Sequence, residues 1–459
     1  MTSLKRAVAV TKLRCCFVLW CMNASQSEQR TVVIGAGLSG LAAATYLARA
    51  GSAVTVLEKS EKLGGRAATD TPRGFALNRG AHAFYTGGAG SQVLRELGVS
   101  YSAGIPRRYL ARDARGRLHP FPATAKDLLR TSLLDAADKA DLLRVFARIA
   151  MQRASDVGHV STSDWIAQTT HRPKLRSFLE SFARTTFYSA ALELASADVF
   201  IARTQQTLQH PVHYVDGGWQ SLVMGLRHAA ESAGVEIQSA ASASQITLRN
   251  GRAAGVRLHD GRQLFADAVV VATPPEDVLH LVPAQVAPRL RQTLTDLVPV
   301  HVACLDVALA RLPMPSQPIV FDVEQPRFMT AQSEFARLAP DGGAVVHLLR
   351  YLHPRELADP ASERAALEAL LDQAQPGWRD VVTEQRFLPR MLAVGALPVA
   401  NSGGMAGRPS PRTDELTNVF FAGDWVGPEG YLADAALASA RAAARLAVAA
   451  QSRTLLAAA

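Results

Sequence analysis

The first ordered pattern is an unbroken apolar run, Thr31-Val32-Val33-Ile34, which predicts a short strand buried on both faces and starting at Gln29 or Arg30. A glycine-rich turn follows. The interior Leu41-Ala42-Ala43-Ala44-Thr45-Tyr46-Leu47-Ala48 predicts a helix, and Gly51 suits a left-handed C-terminal cap. Ala53-Val54-Thr55-Val56-Leu57 is a second buried strand, so the three pieces form one βαβ unit. Residues 120–200 change texture: Leu128, Leu129, Leu133, Leu134, Leu142, Leu143, Val145 and Phe146 recur at helical spacing and predict a helical insertion. Strand signals return at Val235-Glu236-Ile237, Ile246-Thr247-Leu248 and Val256-Arg257-Leu258, and the run Asp267 to Thr273 reads as a parallel strand buried on both faces. Residues 295–400 mix strand-like and helical segments. Asn418 to Asp424 is a last buried strand, followed by an alanine-rich helix to about Ala450, with no internal repeat or low-complexity linker.

At 459 residues the chain has roughly three times the mass of a typical domain, enough for a large core in two parts. Hydrophobic residues at 48% and charged residues at 19% exclude a disordered, collagenous or disulfide-scaffold chain. No run of 18 apolar residues exists, which excludes a spanning helix. The net charge of +9 is concentrated at the start: residues 1–30 hold five basic groups against Glu28, leaving +5 for the other 429. No basic, aromatic-interleaved stripe is present, so a nucleic-acid partner is not expected. Cys15, Cys16, Cys21 and Cys304 give no disulfide framework or metal spacing, and the HxxH pair His210 and His213 is interrupted by Pro211, so no metal is expected. Lys5, Arg6, Lys12 and Arg14 precede the apolar run Cys15 to Met22, the pattern of a weak secretory signal, an amphipathic presequence or a start codon placed too early. The run is short and lacks a small-x-small cleavage site. The expectation is a leader without a targeting role and a cytoplasmic protein, with membrane association left open.

Gly35-Ala36-Gly37-Leu38-Ser39-Gly40 is GxGxxG between a strand and a helix. Gly35 permits the tight turn, Gly37 lets a pyrophosphate approach the backbone, Gly40 allows close helix packing, and the helix N-terminus offers free N–H groups. Glu58 ends the second strand, 18 residues after Gly40, where a carboxylate accepts from a ribose diol. Lys59 to Arg66 then brings a second glycine pair, Gly64-Gly65, with the Arg66 guanidinium. Phe421-Ala422-Gly423-Asp424-Trp425 sets an acid after a buried strand, placed for the ribityl hydroxyls of a flavin. NAD has no ribityl chain, so the pattern favours FAD.

These motifs, with Tyr214-Val215-Asp216-Gly217-Gly218-Trp219 and Ala272-Thr273-Pro274, stand in an order that resembles the flavin amine oxidase superfamily. That superfamily includes amine oxidases, protoporphyrinogen oxidases and phytoene desaturases, and the likeness covers nearly all of residues 29–450. It implies an α/β fold: a Rossmann-like FAD domain built from 29–105, 210–290 and 411–452, and a substrate domain from 106–209 and 291–410, with 106–209 the helical insertion. It implies FAD contacts from Gly35, Gly37, Leu38, Ser39, Gly40, Glu58, Lys59, Gly64, Gly65, Arg66, Gly80, Ala81, His82, Ala243, Thr273, Gly423, Asp424, Tyr431 and Leu432. Gly430-Tyr431-Leu432 resembles the segment where a tyrosine flanks the flavin and the next N–H meets its pyrimidine oxygen; a tyrosine packing the last helix is the alternative. Gly80-Ala81-His82 resembles the loop beside the isoalloxazine ring, where His82 either polarises the flavin or substrate or is a hydrogen-bonded structural histidine. Tyr431 and His82 are the catalytic candidates.

The departures narrow the reading. Amine oxidases of this group use a lysine near flavin N5, and Val298-Pro299-Val300-His301-Val302-Ala303-Cys304 has none; no lysine follows Lys174. Where some members carry a flavin-linking cysteine and a second caging tyrosine, this chain has Met405 and Ala406, so the FAD is expected to be noncovalent. Ala422-Gly423-Asp424-Trp425 is closer to the desaturase branch. The leading expectation is an FAD-dependent oxidoreductase taking a hydride from an apolar, isoprenoid or porphyrinogen-like substrate, with oxygen or quinone as acceptor. A flavin amine oxidase, a noncatalytic flavoprotein and, more distantly, an NAD-dependent dehydrogenase are the alternatives. Leucines mixed with Lys126, Arg130, Lys139, Arg144 and Arg148 suggest an insertion that roofs the cavity and touches a membrane surface, or one whose leucines pack a core. The sequence leaves the oligomeric state open.

Overall fold

The computed structural model describes residues 29–458; the leader 1–28, and the targeting question with it, lies outside them. β1 (Arg30–Ile34), α1 (Leu38–Arg49) and β2 (Ala53–Leu57) form the expected βαβ unit, with the two strands parallel. The apolar run in β1 is continuous because both faces are covered. Val33 packs with α1 on one side, while Val32 and Ile34 meet a second core on the other. That second core includes the antiparallel meander Ala243–Arg249, Arg252–Leu258 and Gln263–Phe265.

Five parallel strands make the first sheet in the order Glu236–Gln238, β2, β1, Ala268–Val271, Val419–Phe421. Strand order reverses at β1, so the crevice beyond its C-terminal end is the switch point where open α/β sheets bind ligands. Helix α1 packs between Gln220–Ser232 and the last helix, Ala433–Ala458. That last helix continues past the expected end near Ala450.

A second sheet has seven strands in the order Val382–Val394, Val300–Leu309, Ala344–Tyr351, Arg327–Ala331, Ile319–Asp322, Leu110–Arg112, Leu118–Pro120. Side chains alternate across it. Leu305, Val307 and Leu309 pack on helix Pro360–Ala374, and Val300, Val302, Cys304 and Ala308 face the core shared with the insertion. The segment 106–209 is therefore not helical throughout: its first two strands pair into this sheet, Leu110–Arg112 running parallel to Ile319–Asp322. Five helices follow, Ala125–Arg130, Ala136–Met151, Thr162–Thr169, Pro173–Phe187 and Ala197–Gln209. Thr124, Asp135, Ser161 and Ser196 cap four of them by accepting a first-turn N–H. Leu142, Val145 and Ile149 face the core, whereas Leu129 and Leu143 remain 79% and 58% exposed.

Candidate flavin site

The glycine turn is compulsory at two positions and open at a third. A Cβ on Gly40 would lie 1.8 Å from Gly35 O, and Gly35 itself adopts φ 102° against Ala272 O. A Cβ on Gly37 would meet no protein atom nearer than Gly64 O at 3.7 Å. The protein itself does not require glycine there, and the bare backbone leaves room for a ligand to approach closely. Gly37 is the N-cap of α1 and supplies no side chain to the free N–H groups of Leu38, Ser39 and Gly40, nor is any acid present in that first turn. The uncapped helix end is suited to an anion.

Glu58 is buried, with Oε2 accepting from Ala36 N and Oε1 from Ser60 N, both at 2.9 Å. It thus fixes the glycine turn while keeping lone pairs for a diol. Ala241 N donates to the Glu58 backbone carbonyl at 2.8 Å, and Ala243 is half-buried two residues further on, at the start of its strand. Thr273 lies against Gly35, and its Oγ1 is buried without a partner. Lys59 turns away to pair with Asp277 at 3.4 Å.

Gly64 and Gly65 both have positive φ, and Gly64 N donates to Ala36 O at 3.0 Å, so the second glycine loop packs on the first. Arg66 then reaches Asp424 with both guanidinium nitrogens, at 2.5 and 2.8 Å. Asp424 Oδ2 also accepts from Gly395 N at 3.0 Å. Burial alone would raise this carboxyl, but Arg66 overcomes it and holds the group below the usual carboxylate range. Three of about four lone-pair positions are filled, so the carboxylate expected to hold the ribityl hydroxyls serves first as the partner of Arg66.

The two catalytic candidates are both constrained. Tyr431 is 1% exposed, and its hydroxyl donates to Phe187 O at 3.0 Å. Burial raises its pKa, so it is a neutral wall with no free proton to give. His82 Nδ1 lies 3.0 Å from Gly80 O, and the ring meets Trp219 edge-on at 4.7 Å. Burial pushes the imidazole down to about 4 against the opposing hydrogen bond to Gly80. It is neutral at pH 7 and polarises nothing by charge. Ala81 O accepts from Tyr188 at 3.4 Å, and Leu432 adopts φ 54° at the entry to the last helix.

Three polar residues that the sequence reading missed join these segments. Arg203 pairs with Asp434 at 2.7 Å, donates to Tyr431 O and lies over the Tyr85 ring at 4.2 Å. Arg408 bridges Asp424 O and Gly430 O, and burial pushes its guanidinium down to about 10. Arg203 and Asp434 are charges set beside apolar runs, the one signal the sequence offers, whereas Arg408 lies in the polar turn Gly407-Arg408-Pro409-Ser410 and has none. Beneath the Gly80 loop, Asp306 lies between His347 Nδ1 at 2.6 Å and Arg386 Nη2 at 2.7 Å, and Arg386 also reaches Asp70 and Asn78 O. Cys304 Sγ donates to Asp306 Oδ1 at 3.1 Å, and burial raises the thiol. This row anchors the 70–80 segment. His213, one of the HxxH pair, is engaged by Tyr101 at 3.2 Å.

The residues fit a flavin dinucleotide: an uncapped helix end, an open Gly37, the Thr273 hydroxyl and the Glu58 carboxylate lie around one crevice. The family model for flavin containing amine oxidoreductases matches residues 38–448. A 4,4'-diapolycopene oxygenase of a Methylomonas species is 24% identical over 490 residues, covering 88% of this chain and 95% of its own. A hydroxyneurosporene desaturase of Rubrivivax gelatinosus is 25% identical over 279 residues, 52% of each chain. Among solved structures, an oxidoreductase from Methanosarcina mazei has a TM-score of 0.75 at 20% identity, covering 90% of this chain and 99% of its own. With the crevice and its chemistry in place, the chain belongs to the flavin containing amine oxidoreductase family and is an FAD-dependent oxidoreductase.

Proposed function

We propose that the protein removes a hydride from a saturated or partly saturated carbon of an apolar substrate of the isoprenoid class. The observation that carries this reading is the state of the aromatic residues between the second sheet and the insertion. The hydroxyls of Tyr431, Tyr351 and Tyr188 are bonded to Phe187 O, Thr185 Oγ1 and Ala81 O at 3.0, 3.0 and 3.4 Å, and Tyr214 accepts from Thr330 at 3.2 Å. Their polar tips are spent within the protein, and their rings are what remains for a ligand. Bound FAD supplies the two-electron oxidation. The chain's residues orient the substrate and exclude water, a task that needs neither the absent lysine nor a charged histidine. The carotenoid activities in the names of the two relatives agree with this class.

Such a substrate partitions into lipid. Leu143 and Met151 lie exposed on one face of helix Ala136–Met151, with exposed Arg144 and Arg148 beside them, and Leu129 and Leu208 are also exposed. We propose a peripheral contact of this face with anionic membrane. Among the described residues no helix is long and apolar enough to cross a bilayer. Flotation with anionic and neutral vesicles tests the contact; protein that stays at the bottom with both defeats it.

Anaerobic mixing with isoprenoids, porphyrinogens and amines tests the substrate class. Flavin bleaching by an isoprenoid supports the proposal, while bleaching by porphyrinogens or amines alone overturns it. Timing reoxidation with oxygen and with a quinone identifies the acceptor, which we propose is one of the two.

A further inference from the structure

One tyrosine differs from all the others. Among the described residues, seven of the eight tyrosines have a hydrogen-bonded hydroxyl, and Tyr85 has none. It belongs to the short strand Phe84–Tyr85, which pairs with Val212–Val215. Side chains alternate across that strand, so Phe84 packs beside Trp219 and Tyr101 while Tyr85 turns to the insertion. There the guanidinium of Arg203 lies over its ring at 4.2 Å. The arginine is held in place: Asp434 Oδ2 and Gln206 Oε1 both accept from Nη1 at 2.7 Å, and Tyr431 O takes Nη2.

The free hydroxyl lies among the bonded ones. Tyr85 is a cause of the raised pKa values of Tyr188, Tyr214, Tyr351 and Tyr431, which puts its oxygen within electrostatic reach of all four. Its side chain is half-buried, not sealed like Tyr431. Burial raises its own pKa and outweighs the opposing pull of Arg203, so the group is a neutral O–H donor. Solvent satisfies such a donor until a ligand takes its place. An apolar substrate that displaces the solvent leaves the O–H unpaired, at the cost of its desolvation, unless the substrate itself brings an acceptor. A bare hydrocarbon brings none. The cation over the ring face also draws electron density from the phenol, which strengthens it as a donor.

We propose that Tyr85 is a specificity-determining residue: its hydroxyl donates to an oxygen atom of the substrate, a hydroxyl, ether or carbonyl, so that the isoprenoid taken is an oxygen-bearing one. The proposal rests on the isoprenoid reading and adds the polar group to it.

The test compares the wild-type holoprotein with Tyr85→Phe, which keeps the ring beneath Arg203 and removes only the hydroxyl. Flavin reduction is followed anaerobically with a polyene hydrocarbon and with its hydroxylated and keto counterparts, delivered in the same detergent micelles. Wild type should favour the oxygenated compounds about tenfold in apparent Kd, and Tyr85→Phe should bring that preference close to none. The preference compares substrates on one protein, so a variant that merely folds less well does not move it. Wild type without a preference, or Tyr85→Phe losing affinity for all three compounds alike, overturns the proposal. FAD affinity is measured alongside: a fall there with the preference unmoved makes the phenol a cofactor contact and overturns it too. The isoprenoid reading fails separately. It falls, and takes this proposal with it, when none of the three compounds reduces the flavin, whereas equal affinity for hydrocarbon and oxygenated compounds leaves that reading standing and defeats the role of Tyr85 alone.

Discussion

Arg66 and Asp424 stand 358 residues apart in the chain and meet in a two-pronged ion pair, Nη1 to Oδ2 at 2.5 Å and Nη2 to Oδ1 at 2.8 Å. The pair ties the second glycine loop to the end of the last parallel strand, so the two ends of the cofactor cradle are held in one register.

Breaking this pair from the arginine side strands a carboxylate that is only 4% exposed, while Arg66 itself keeps 37% exposure. Removing one partner of a buried pair costs about 3–5 kcal/mol, and solvent at Arg66 reduces that, so Arg66→Met should lose about 1–3 kcal/mol. Because the folded carboxyl lies below its unfolded value, its contribution is present above about pH 4 and disappears as pH falls through the folded value. Urea midpoints should show the wild-type advantage over Arg66→Met shrinking in acid; an advantage independent of pH would contradict the pairing.

Gly37→Ala and Gly40→Ala should separate cofactor binding from folding. The new methyl at residue 40 collides with Gly35 O at 1.8 Å and must lower apoprotein melting as well as FAD affinity. At residue 37 it meets only Gly64 O, at 3.7 Å, so the apoprotein should melt as wild type while FAD affinity falls at least tenfold. Equal FAD affinity in Gly37→Ala and wild type would remove the pyrophosphate from that position.

His82 should stay neutral across the physiological range, since its folded pKa lies near 4. Between about pH 6.5 and 4 the unfolded chain binds a proton that the folded one refuses, so His82 lowers stability as pH falls through that window. His82→Gln should lose less stability than wild type between those pH values. An NMR titration placing His82 near 6.5 would rule this out.

The flavin should leave with acid. Cys304 is the only cysteine among the described residues, it is buried, and its sulfur is held by Asp306. The sequence resemblance puts Met405, which has no thiol, at the place where a flavin-linking cysteine is expected. Acid precipitation should put the yellow colour in the supernatant, and colour retained in the pellet would show a covalent bond.

The βαβ unit, the buried strand at 268–271 and the last strand with its helix were legible because their apolar runs are continuous and their glycines sit where backbone geometry demands them. Gly35 and Gly40 announce themselves because any side chain would clash. The hairpin 110–120 was not legible: each strand has three residues, too few for a period, and its place depends on pairing with Ile319–Asp322 about two hundred residues away. Arg203, Arg408 and Asp434 were missed for a related reason. A buried ion pair, like an arginine that bridges two distant carbonyls, is a fact of separated positions, and no residue marks it alone.

The parallel sheet has its first strand near the middle and its last at one edge. As the chain leaves the ribosome, β1 and β2 emerge early, yet Val419–Phe421 and the helix that covers α1 arrive only at the end. Until then Ala268–Val271 presents an unpaired edge of four fully buried-type residues, and α1 lacks its long neighbour. A chain interrupted before Val419 would hold the glycine turn but neither Asp424 nor the Leu432 entry, so it would be both sticky and unable to close around its cofactor. For this protein, nascent-chain protection and cofactor loading are bound to the same final segment.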